Sequence, residues 1–220
     1  MSANPMTRRS LMIGFAGLAA GRHAAAQTRP DVPQARSRFD RDRFVEDVRL
    51  ALQDSGGQSA VEDVLRRAVS EPSSVLAGLG EPLAAGIHPI HRSRDLTILN
   101  VVWAPKMVLL PHNHNMWASI GIYTGREDNI LWAPQRDRVT ATGAASLSAR
   151  QVLGLPAEAI HSVTNPIGRL TGAIHIYGGD FFAPGRSEWD AETLQERPWD
   201  LDSARSEFAK AARRFAAVPD

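Results

Sequence analysis

No cysteine occurs anywhere in the 220 residues. Disulfides, zinc–thiolate sites, iron–sulfur clusters and thiol nucleophiles are excluded, so any metal must be held by histidine, carboxylate or backbone oxygen. An excess of one charge is also missing: 25 basic and 24 acidic side chains leave a formal net charge of +1. With no dense Lys/Arg run in the body of the chain, no nucleic-acid partner is expected. Long apolar runs are lacking too. The run from Leu11 to Ala20 is about ten residues, too short to span a hydrocarbon core of ~30 Å. No internal repeat stands out. What remains, 43% apolar and 22% charged residues, is an ordinary globular composition.

The body of the chain changes period near residue 87. Before it, Phe44, Val48 and Leu52 recur at four-residue spacing and predict a helix over 40–53, stopped by Ser55-Gly56-Gly57. Ser59-Ala60-Val61-Glu62 has the form of a capping box opening a second helix, with Val61, Val64, Leu65, Ala68 and Val69 as its apolar stripe. A third follows Pro72 and ends at Gly78 or Gly80. After it, short β-like segments are expected at 87–91, 95–103, 107–111, 116–124, 129–133, 151–155, 159–163 and 169–177. Such a series of short strands predicts an antiparallel sandwich or barrel. Leu201 to Val218 returns to helical spacing, with Phe208, Ala211, Ala212 and Phe215 on one stripe.

Within the β-region, Pro111-His112-Asn113-His114 sets two imidazoles at i and i+2 on a strand, where side chains leave the same face. That is half of a metal site. His161, with Asn165 four residues later, and the strand pair His175 and Tyr177 are the next residues that carry chemistry. His88 and His91, beside Pro89 on an early polar strand, read as surface or hairpin residues, and Trp117 and Trp132 as core packing.

His-x-His on one strand, Gly125 closing the segment, and His161 with Asn165 about fifty residues on resemble the cupin superfamily. The resemblance implies a mainly β, jelly-roll-like double-stranded β-helix barrel with N-terminal helices and a C-terminal helix. It also implies a metal site formed by His112, His114 and His161. The glutamate ligand usual in the first motif is absent, since its positions are Ala118 and Ser119. Three histidines followed by the His175-x-Tyr177 strand resemble the thiol dioxygenases, the cysteine and 3-mercaptopropionate dioxygenase-like family, over about residues 39–200. The departures are Ala173, where that family has serine, and Ser119, at the position of the cysteine crosslinked to tyrosine in some members.

Membership would imply a mononuclear non-haem Fe(II) oxidoreductase that uses O₂ to convert a small thiol to a sulfinate. His175 and Tyr177 would be its catalytic pair, and Arg186, or failing that Arg169, would hold the substrate carboxylate. Nickel, manganese or copper would suit the same three nitrogens. A cupin metalloenzyme with another metal and substrate, and a non-catalytic cupin binding a small ligand, remain open as alternatives.

At the start of the chain, Arg8-Arg9 precedes the short apolar run, and Arg22 and Ala24-Ala25-Ala26 follow it. These parts resemble a twin-arginine-type signal peptide over 1–26, cleaved after Ala26 to leave no stable membrane anchor. Periplasmic export is therefore expected, with a cytoplasmic protein the alternative. The expected organisation is a leader over 1–26, a linker over 27–38, a cupin domain over 39–200 whose helical cover spans 39–80, and a C-terminal helix over 201–220.

Overall fold

The computed structural model describes residues 38–53, 56–183 and 185–216, without the side chains of 215 and 216. The leader, nearly all of the linker and the Phe215 side chain lie outside the described residues. Three helices come first: α1 (Arg41–Gln53), α2 (Gln58–Val69) and α3 (Pro72–Leu79). The stripe read for α2 is buried at Val61, Val64, Leu65 and Val69. Its start differs from the predicted capping box. Gly57, at φ 50°, is the N-cap, and no side chain caps the helix. The Gln58 side chain instead donates to the carbonyls of Ala118 and Leu155, tying the helix to the strands beneath.

Eleven strands follow among the described residues: β1 (Gly86–Arg92), β2 (Thr97–Trp103), β3 (Val108–Asn113), β4 (Ala118–Thr124), β5 (Arg126–Gln135), β6 (Arg138–Ser148), β7 (Val152–Leu155), β8 (Ile160–Thr164), β9 (Thr171–Tyr177), β10 (Ser187–Trp189) and β11 (Glu196–Pro198). The chain returns to helix in α4 (Leu201–Ala216). One sheet has the order β1-β2-β9-β4-β7, the other β11-β10-β3-β8-β5-β6. All pairs are antiparallel. From β2 to β9 the chain changes sheet at every step except the β5–β6 hairpin. That order is the jelly roll, the double-stranded β-helix of cupins.

Residues of β2, β4 and β9 are buried on both faces. On the outer face, Ile98, Ile174, Ile176 and Tyr123 pack beneath the three helices with Val48, Leu65 and Val75. On the inner face, Leu99, Val101, Trp103, Ile120, Ile122 and Ala173 fill the barrel. Burial on two sides explains why these strands read as near-continuous apolar runs instead of alternating ones. Gly125, at φ 82°, makes the turn from β4 into β5; a Cβ there would overlap Thr171, whose hydroxyl bonds both the N–H and the carbonyl of Arg126. β6, β10 and β11 were not expected from the sequence. β6 is a sheet edge that buries only Val139 and Leu147, so its small exposed residues carry no hydrophobic alternation. No helix among the described residues is long and apolar enough to cross a membrane.

Candidate metal centre

Register brings the histidines together. His112 on β3 is paired directly with His161 on β8, and their ring centroids lie 4.5 Å apart. His114 follows the end of β3, where Asn115 turns the chain at φ 53° and donates its side-chain amide to the Gly185 carbonyl. Its ring lies 4.8 Å from His112 and 5.1 Å from His161. All three are buried, with one potential donor atom from each inside a 4.8 Å span.

The donor set fits a transition-metal ion. His112 Nδ1 lies 2.8 Å from the Leu110 carbonyl and His161 Nδ1 lies 2.7 Å from Asn129 Oδ1. Both oxygens are acceptors, so each Nδ1 carries the proton and leaves the Nε2 lone pair free for a metal. His114 Nε2 and His161 Nε2 are 3.0 Å apart. Two nitrogens about 2.1 Å from one ion and at right angles would be separated by about that distance. Burial pushes the His112 ring down to about 4 and holds those of His114 and His161 well below the usual histidine range. Neutral imidazole is the ligating form. No carboxylate joins the cluster among the described residues.

β9 supplies the opposite wall. Ala173, His175 and Tyr177 alternate inward, and His175 Nδ1 lies 3.1 Å from the Tyr177 hydroxyl. Tyr177 is opposite Ala118 in the pairing with β4, and its ring is 4.9 Å from His114. Burial raises the Tyr177 hydroxyl well above its ordinary value. Ser119 is opposite Ile176 and so belongs to the helix-covered face of β4. The sequence-based placement of Ser119 at the tyrosine is therefore corrected: the strand alternation puts Ala118 there.

Arg186 enters from the segment before β10, which is docked beside the metal cluster by pairing Glu188 with His112 and by a hydrogen bond from Ser187 N–H to Asn113. Its guanidinium carbon lies 3.5 Å from the Trp199 ring centre and 4.3 Å from that of Phe181. Nη1 donates to His114 Nδ1 at 3.1 Å, while Nε and Nη2 are buried without a partner among the described residues. Burial lowers the guanidinium to about 10, which leaves it charged at neutral pH. Arg169 is not brought into the site. It is exposed at the opposite end of β9, and its carbonyl accepts from Asn165 Nδ2–H. Asn165 also donates to the carbonyls of Trp103 and Ala104, pinning the turn that follows β8.

Sequence reasoning missed Glu127 and Asn129 on β5 and the aromatic wall. Both polar side chains are fully buried: Asn129 donates to Glu127 Oε1 at 3.0 Å, and Trp103 Nε1–H donates to Oε2 at 2.7 Å. The signal was available in Glu127-Asp128-Asn129, whose outer two members share a face at strand spacing. Trp103, Phe181, Trp199 and Phe208 line the cavity, with α4 contributing Ala204 and Phe208. Trp117 and Trp132 lie elsewhere. Trp117 packs beneath the helices, and Trp132 donates to Ser162 Oγ.

No protein-family model matches the chain, and no curated protein does. Several solved structures are similar to part of the chain. A structure of DMSP lyases is 18% identical over 43% of this chain and 44% of its own, with a TM-score of 0.34. An oxalate decarboxylase from Bacillus subtilis is 14% identical over 41% of this chain and 23% of its own, with a TM-score of 0.34. The chain thus spans less than half of either. An RmlC-like cupin family protein with a double-stranded β-helix fold from Methanocaldococcus jannaschii is 9% identical over 46% of this chain and 85% of its own, with a TM-score of 0.39. The cupin architecture rests on the strand order, and the three-histidine cluster within it is compatible with a metalloenzyme.

Proposed function

We propose that the protein is a mononuclear non-haem Fe(II) thiol dioxygenase, converting R–SH and O₂ to R–SO₂H with both oxygen atoms delivered to one sulfur. His112, His114 and His161 would hold the metal. The observation that carries this reading is the pairing of an all-imidazole donor set with a buried, partly unpartnered guanidinium beside it. Three neutral ligands would leave the full charge of a divalent ion to draw a substrate thiolate, and O₂ activation is the chemistry iron would supply here when bound.

The chain's own groups account for the rest. Arg186 presents Nε–H and Nη2–H on one edge, the arrangement that takes both oxygens of a carboxylate. Trp199 and Phe181 hold the guanidinium plane on its two ring contacts, so its direction is set before a ligand arrives. Tyr177 stands between His114 and His175, within reach of a small ligand held at both the metal and Arg186. The apolar walls from Val101, Leu109, Val163 and Phe208 exclude water and favour a short chain between thiol and carboxylate. A short thiol acid, of the 3-mercaptopropionate or cysteine kind, satisfies all three features.

The test is oxygen uptake by Fe(II)-loaded protein with 3-mercaptopropionate, cysteine and cysteamine, using His161→Ala as the blank. Uptake with a thiol acid, sulfinate as product and loss in the variant would support the reading. Bound iron with no uptake from any of the three would sink it in favour of a cupin enzyme with a different metal or substrate.

A further inference from the structure

Glu127 has no exposed surface, and no lysine or arginine lies within ion-pair distance of it among the described residues. A carboxylate buried so deeply needs its oxygens engaged. Each engagement leads back to the site. Oε1 accepts from Asn129, whose own Oδ1 accepts from His161 Nδ1–H. Oε2 accepts from the indole of Trp103, which lines the cavity. The same Oε2 lies 3.5 Å from His175 Nε2, a buried nitrogen with no hydrogen-bond partner among the described residues.

We infer that Glu127 is a positioning residue that fixes which nitrogen of His175 carries the proton, and with it the direction of the His175–Tyr177 hydrogen bond. A carboxylate that accepts from N–H groups on both oxygens presents only lone pairs to its third neighbour. His175 Nε2 meets those lone pairs favourably as N–H, and unfavourably as a bare nitrogen in a site where low dielectric strengthens the repulsion. With its proton on Nε2, neutral His175 has only a lone pair at Nδ1. The contact of 3.1 Å then runs one way: Tyr177 O–H donates to His175 Nδ1. The tyrosine oxygen consequently turns its lone pairs, not its proton, toward the cavity, and accepts from a ligand N–H or S–H.

This assignment also accounts for Ala173. The thiol dioxygenase resemblance has a serine there, two residues before His175 on the same inward face, and alanine offers no polar atom. Glu127 reaches His175 from the other sheet instead. The inference rests on the reading of Tyr177 as a group that faces the ligand, but not on the ligand being a thiol. Its test requires no turnover, so failure of the dioxygenase reading and failure of this one are separate results.

The experiment is nitrogen NMR of ¹⁵N-histidine-labelled, metal-free protein, with the His175 signals assigned by their loss in His175→Gln. The wild type should show a protonated, pyrrole-type Nε2 and a bare, pyridine-type Nδ1. In Glu127→Leu the lone pairs facing His175 Nε2 are gone, so the Nε2–H form loses its preference and the two signals should move toward each other or exchange types. Tyr177→Phe should leave the wild-type tautomer in place, because the carboxylate sets it. A wild-type His175 protonated on Nδ1, or on both nitrogens, overturns the inference. So does an unchanged tautomer in folded Glu127→Leu, or a switched one in Tyr177→Phe. Should Glu127→Leu fail to fold, the wild-type and Tyr177→Phe spectra still decide.

Discussion

Arg186 and a metal ion compete for the proton arrangement of His114. In the structure the guanidinium donates to His114 Nδ1 at 3.1 Å, so neutral His114 carries its proton on Nε2, directed at His161 Nε2 3.0 Å away. A metal bound at Nε2 requires the proton to move to Nδ1, where it would confront an N–H of Arg186. Metal loading therefore breaks this contact. A hydrogen bond to a charged group contributes about 1.5–3 kcal/mol, and each 1.4 kcal/mol is a factor of ten, so the contact weakens metal affinity by about 10- to 150-fold. In Arg186→Gln the side-chain oxygen can accept from His114 Nδ1–H, and one positive charge is gone from beside the ion. The variant should bind Co(II) or Zn(II) at least about tenfold more tightly, with the lower end set by loss of packing on Trp199 and Phe181. Competition titration against a chromophoric chelator reads this directly, with His114→Ala establishing that this ring is a ligand. Equal or weaker affinity in Arg186→Gln would refute the reasoning. In the wild type a carboxylate on the unpartnered Nε–Nη2 edge would offset the guanidinium charge beside the ion, so metal and thiol acid should favour each other's binding.

Four further outcomes are expected. His112→Ala, His114→Ala and His161→Ala should each lose metal on desalting, measured by elemental analysis; retention in any one removes that residue from the ligand set. Tyr177→Phe should retain metal but lower kcat by about one to two orders of magnitude, as for loss of a positioned polar group. The metal-free protein should lose stability as pH falls. His112, His114 and His161 have lowered folded-state values, so the unfolded chain takes up protons first, beginning near 6.5. Their contribution is complete above that value, and His112 alone should forfeit on the order of 3 kcal/mol between 6.5 and about 4. Urea midpoints at several pH values, flatter in His112→Ala, check the sign, and greater stability in acid contradicts it. The leader assignment expects periplasmic protein beginning at Gln27 by N-terminal sequencing, and intact chain confined to the cytoplasm counts against export.

The parts of this structure legible in the sequence are those whose signal is local. Phe44, Val48 and the α2 stripe announce helices because one face alone is buried. His112 and His114 are readable because two residues along a strand return to the same face. The pairing of His112 with His161 is different in kind: nothing local places residue 161 opposite residue 112, and in the sequence only the pattern resembling cupins links the two. Arg169 failed for the same reason. It is close to His175 in sequence, but a strand that delivers His175 and Tyr177 to one end of the barrel carries its own beginning to the other.

Glu127 and Asn129 show the cost of reading polar residues as exposed by default. Asp128, between them, lies on the outer face and pairs with Arg126, so the run resembles a solvated turn. The inward face of β5 is polar because it must serve two residues on other strands, His161 through Asn129 and His175 through Glu127. Strand alternation could have shown that the two point the same way, but not that histidines wait opposite them. Ala173 on β9 and the unanticipated carboxylate of Glu127 on β5 thus bear on the same ring, that of His175. Along β9 alone His175 meets no polar atom at Ala173, whereas across the barrel a carboxylate oxygen of Glu127 lies 3.5 Å from its Nε2.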